Sequence, residues 1–212
     1  MDPQLSGLIR NLADNKLALG RRFSEWANSA PALEAAIAAA AMTKEETGHA
    51  RSLYACLHDH PDSAEAYLEE KRQQVGTTVS VLNQSFQEWP EFVAASVILD
   101  RALAWVCQAA IGSSHEPLRH RASKIVQEER YHRIYGKGWL KRLSAANPRA
   151  RARSQAAVER FWEPVDDWLK DLYEPLLVGE GYLAEDSEVV RTRWRQEAET
   201  LLQDCGMEIP NG

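Results

Sequence analysis

Two copies of Glu-x-x-His, Glu46 to His49 and Glu129 to His132, lie in long stretches of helical pattern and constrain this chain more than any other feature. Residues three apart share one face of an α-helix, so each pair presents a carboxylate and an imidazole in the same direction. The face of Glu46 otherwise carries Ala35, Ala39, Met42, Ala50, Leu53 and Leu57, and that of Glu129 carries Leu118, Ala122, Ile125, Val126 and Leu140. Both faces are apolar enough to be buried. An isolated carboxylate on such a face is costly unless it is protonated, paired or bound to a metal.

Asp100 is a third solitary acid, set at helical spacing among Val93, Ser96, Val97, Leu103, Ala104 and Cys107. Glu25 is a fourth candidate on a less apolar face, which it shares with Asp14, Arg21 and Arg22; a salt bridge to either arginine explains it equally well. Two helices that each bear Glu-x-x-His, facing two that each bear one carboxylate, make a dinuclear metal site. Glu25, Glu46, His49, Asp100, Glu129 and His132 would supply four carboxylates and two neutral imidazoles, a charge that two divalent ions balance. These donors suit two iron ions, and manganese or a mixed manganese and iron pair fits the same set.

The remaining pattern is helix after helix, with no convincing strand. It predicts helices over about 4–29, 31–58, 63–74, 90–112, 116–144, 147–172 and 185–202, with 76–89 as a crossing connection. Ser29 with Pro31, and Asn147 with Pro148, read as helix starts. Four long helices joined as two hairpins by one long crossover give an all-α, ferritin-like four-helix bundle with additional C-terminal helices. The expected organisation is one domain over 1–212, with a bundle core at about 4–145 and a helical extension at about 147–205. At 212 residues and 44% hydrophobic, the chain can bury one core.

A net charge of −6 argues against a general nucleic-acid binder. Cys56, Cys107 and Cys205 are odd in number and lack Cys-x-x-Cys spacing, as expected of reduced thiols in a cytoplasmic protein. The opening MDPQLSG has no signal pattern, and the alanine run at 35–41 lies between Glu34 and Lys44, too short to span a membrane. His58, His60, His115 and His120 read as solvated, Trp26, Trp105 and Trp139 as core, and Arg149, Arg151 and Arg153 as a solvated helix start.

The stretches LGRRFSEWANSAPALEAAIA, EETGHARSLY, ILDRALAWVCQ and QEERYHRIYGKGW, with the acidic, Trp-rich tail, resemble the phenylacetic acid catabolic family. Its best-known members are the catalytic and structural ferritin-like subunits of bacterial phenylacetyl-coenzyme A epoxidase. The resemblance implies that Glu25, Glu46, His49, Asp100, Glu129 and His132 are iron ligands. It further implies that O2 is activated to insert one oxygen atom into the aromatic ring of an acyl-coenzyme A, and that a separate reductase supplies electrons. The chain itself has no Cys cluster and no Gly-rich dinucleotide fingerprint. A homodimer or a heteromer with a ferritin-like homologue is expected. In size and short loops the chain looks like the structural subunit, which in the family has lost its metal ligands. This chain combines that outline with the full ligand set; a scaffold role is the alternative, against which the intact ligands speak, and another ferritin-like role such as an oxidase, peroxidase or iron-handling protein is the third reading.

Overall fold

Asp2 starts the first helix: its carboxylate accepts hydrogen bonds from the backbone N–H groups of Gln4 and Leu5 at 2.7 and 3.4 Å, and Pro3 fits the first turn. The computed structural model describes residues 1–57, 78–172 and 175–210. Helix α1 (Pro3–Ser24) pairs with α2 (Leu33–Tyr54), and α3 (Trp89–Ala109) pairs with α4 (Glu116–Ala146). Beyond this bundle follow α5 (Pro148–Asp171), α6 (Pro175–Gly179) and α7 (Ser187–Asp204). The described residues contain no β-strand, and the fold is all-α and ferritin-like.

Helix starts follow the local chemistry. Asn147 accepts from the N–H of Ala150 at 2.9 Å, Asp186 from that of Val189 at 2.9 Å, and His115 Nδ1 from that of Leu118 at 3.3 Å. Helix α2 departs from expectation, beginning at Leu33 after an uncapped Ala32, because Ser29 is held in the turn that closes α1. The helix expected at 63–74, with His58 and His60, lies outside the described residues. The described part of the crossover contains a short 3-10 turn, Ser80–Asn83.

Helix α3 is the central element. By length and composition it could cross a membrane, yet 83% of its most apolar window is buried inside this fold. Its middle segment, Ala95–Leu99, widens into a π-helix. There Trp194 of α7 donates its indole N–H to the carbonyl of Ile98 at 2.9 Å, satisfying a buried backbone acceptor. Trp162 of α5 packs against Trp194 with ring centroids 5.1 Å apart. Asp166 of α5 joins the two outer helices by accepting from Arg191 at 2.8 and 2.9 Å and from Arg195 at 2.7 and 2.8 Å. Burial acts to raise the Asp166 carboxyl, but the two arginines outweigh it and hold the group at about 2.

Helix α4 approaches the π segment closely at Gly136. A Cβ there would stand 2.7 Å from Ser96 Oγ and 2.8 Å from Val97 Cγ1. The same helix carries Glu129 and His132, and Asp100 is the first residue after the π segment.

Candidate functional site

Each bundle helix sends side chains into one buried centre. Helix α2 brings Glu46 and His49, α3 brings Asp100, and α4 brings Glu129 and His132. Glu46, Asp100, Glu129 and His132 each offer a ligand atom within 4.8 Å of the others, so these four could hold a metal ion. His49 stands beside them, its Nδ1 at 3.6 Å from Glu46 Oε1 and 3.5 Å from Glu129 Oε1.

Glu25 does not join them. It follows the end of α1, where its carboxylate lies 3.0 Å from Arg22 and accepts from Ser85 Oγ at 3.1 Å. The side chain that α1 sends inward is Lys16, fully buried. Its Nζ lies 2.7 Å from Asp100 Oδ1, 3.1 and 3.2 Å from the two oxygens of Glu46, and in contact with Glu129 Oε1. Nine residues of helix place Glu25 about 13 Å further along the axis, out of reach of the centre. Helix α1 thus brings a cation where a fourth carboxylate was expected.

The histidines are held from both sides. His132 Nδ1 lies 3.0 Å from Asp100 Oδ2, while its Nε2 is 2.7 Å from Glu45 of α2. His49 Nε2 is 2.8 Å from Glu128 of α4. Each Glu-Glu-x-x-His therefore gives its second acid to the centre and its first acid to the histidine of the facing helix. Burial alone would lower both imidazoles, but the carboxylates around them prevail: His49 is pushed up to about 9, and His132 is raised well above the usual imidazole range. Burial opposes charge on Lys16 as well; Asp100, Glu129 and Glu46 outweigh it and raise the ammonium. Glu46 and Glu129 feel burial, which raises them, and the cations, which bring both down to about 2.

Lys16 and the two imidazoles thus stand among five carboxylates, with Glu46, Asp100 and Glu129 inside the centre and Glu45 and Glu128 on its outer side. This arrangement does not fit a pair of divalent ions: the fourth carboxylate is missing, and the Lys16 ammonium occupies the space among the other three. Even a single ion on Glu46, Asp100, Glu129 and His132 requires Lys16 to withdraw.

Lys16, Glu45 and Glu128 are the residues that motif reasoning missed. A signal for Lys16 existed: it interrupts the stripe Leu5, Leu8, Ile9, Leu12, Leu19 and Phe23, all buried. For Glu45 and Glu128 the signal was the doubled acid that precedes both motifs.

The sequence profile of the family described as phenylacetic acid catabolic protein matches residues 1–212. The chain is also 23% identical over 211 residues to the C subunit of the 1,2-phenylacetyl-CoA epoxidase of Escherichia coli (strain K12), a match covering 98% of this chain and 84% of that protein.

Proposed function

From the premise that this chain belongs to the phenylacetic acid catabolic family, we propose that it is a ferritin-like subunit of an oxygenase complex of the phenylacetyl-CoA epoxidase type. Its role there is structural, beside a catalytic homologue that carries the metal. The observation that carries this reading is Lys16, whose ammonium takes the place of metal charge among Glu46, Asp100 and Glu129. A structural subunit gains from such a centre a fixed arrangement of four helices without bound metal. The acyl-coenzyme A, O2 and the electrons from a reductase would all be handled by the partner. A cytoplasmic location belongs to the same proposal, supported by the free, buried thiols of Cys56, Cys107 and Cys205.

A second reading, a di-iron oxygenase active in its own right, is favoured by Glu45 and Glu128. Carboxylates behind ligating imidazoles are the usual second support of a metal centre, and Glu129 Oε2 and His49 Nδ1 are buried without a hydrogen bond, their ion-pair partners standing at 3.3 Å or more. The two readings part under anaerobic reconstitution with ferrous iron followed by elemental analysis. The structural subunit retains no stoichiometric iron and consumes no O2 with a chemical reductant, whereas about two irons per chain with reductant-dependent O2 uptake would establish the oxygenase.

A further inference from the structure

A second site lies on the outer side of the bundle, where α3, α4 and α7 meet around a cavity of about 390 Å³. Arg101, Trp105 and Gln108 of α3, Arg130 and Arg133 of α4, and Glu197 of α7 line it. Glu197 accepts from Arg101 at 2.9 Å and from the indole N–H of Trp105 at 3.0 Å, and lies 2.7 Å from Arg133 Nε. Burial raises its carboxyl, but Arg101 and Arg133 prevail and keep it ionised. Arg130 is exposed and has no acidic partner among the described residues. Arg193, at the rim over Trp105, is committed to Glu185 at 2.8 Å.

The wall therefore carries three guanidiniums against one carboxylate, leaving two positive charges without a counter-charge in a chain whose net charge is −6. Arg101 Nε is moreover buried with no hydrogen-bond partner, a donor that the protein itself leaves unused. Guanidinium forks match phosphate oxygens in pairs, and a dianion cancels the excess. The cavity is larger than a bare phosphate needs and falls in the size range of small-molecule sites. Ala104, Val126 and the Trp105 ring offer an apolar wall to the rest of such a molecule.

We propose that this cavity binds the phosphate monoester of a small organic molecule, held by Arg101, Arg130 and Arg133. The assignment goes beyond the structural role of the chain and does not depend on whether the buried centre binds metal.

Calorimetric titration of the full chain at low ionic strength, with inorganic phosphate and adenosine 5′-monophosphate as separate probes, tests it. Saturable one-site binding is expected, tighter for the nucleotide. Arg130→Ala should weaken it about tenfold with an unchanged melting temperature, since Arg130 has no ion pair to lose. Arg149→Ala, at the exposed start of α5 and outside the cavity, should leave affinity unchanged. Absence of saturable binding by either probe overturns the site. Equal losses in both variants would mean a diffuse basic surface and overturn it too, and equal affinity for the two probes overturns the monoester assignment.

Discussion

Lys16 Nζ lies 2.7 Å from Asp100 Oδ1, within a bundle where two further buried acids, Glu46 and Glu129, meet the same ammonium. One cation on α1 thereby changes the chemistry of the whole centre. Three buried carboxylates that would otherwise demand metal meet an ammonium directly and lie beside two imidazoles. In a medium of low dielectric such a network is sensitive to the loss of any member, because the charge left behind has no water to solvate it.

Replacing Lys16 by Ala should therefore destabilise the metal-free protein by about 3–5 kcal/mol. It should also open the centre to divalent ions, so that ferrous or manganous ion raises the melting temperature of the variant while leaving the parent unchanged. Thermal melts with and without added metal check this. Identical metal-induced shifts in the two proteins would show that Lys16 does not exclude the ion.

Stability should depend on pH in a defined window. Glu46 and Glu129 are depressed from 4.5 to about 2, so their contribution is present above about 4.5 and is lost as pH falls toward 2. His49 is raised from 6.5 to about 9, so its contribution is complete below about 6.5 and is lost as pH rises to about 9. Unfolding by denaturant across this range should give greatest stability between about 4.5 and 6.5. The decline above pH 6.5 should become shallower in His49→Gln without disappearing, because His132, raised further, loses its contribution in the same direction, and an unaltered alkaline limb in that variant would assign the titration elsewhere.

The order of the six long helices, the two hairpins, and four of the centre's groups could be read in advance, because Glu46, Asp100, Glu129 and His132 each interrupt an apolar stripe. His49 followed from the repeated motif. Glu25 failed because a motif specifies that an acid is needed from α1 but not its height along the bundle, and α1 carries its buried ion at Lys16 instead. A search for carboxylates passes over a lysine even where it obeys the same rule of a lone charge on a buried face. The π segment before Asp100 was not legible either. It depends on how Trp194 and Gly136, far away in sequence, meet α3, and no local pattern encodes that.

The close approach at Gly136 gives a matched test of packing. A methyl at this position meets Ser96 and Val97 at 2.7–2.8 Å, so Gly136→Ala should cost about 1–3 kcal/mol. Gly138, two residues on, has nothing within 4 Å, and Gly138→Ala should be neutral or stabilising by up to about 1 kcal/mol through helix propensity. Chemical denaturation of the pair checks both signs. A neutral Gly136→Ala would mean that α4 can move away from the π segment at little cost.

His132 and His120 stand on the same helix and differ in what they touch. His132 is 2% exposed and joins Asp100 at 3.0 Å to Glu45 at 2.7 Å, whereas His120 is 66% exposed, with Glu116 at 3.9 Å. His132→Ala removes a cation from the centre and leaves Asp100 Oδ2 without its partner, a loss of about 2–4 kcal/mol. His120→Ala should stay within about 0.5 kcal/mol of the parent. Both substitutions delete the same imidazole, so differences in composition cancel and position alone remains. Equal unfolding midpoints for the two variants would remove the centre from the interactions that hold the bundle together, and with it the structural role assigned to this protein.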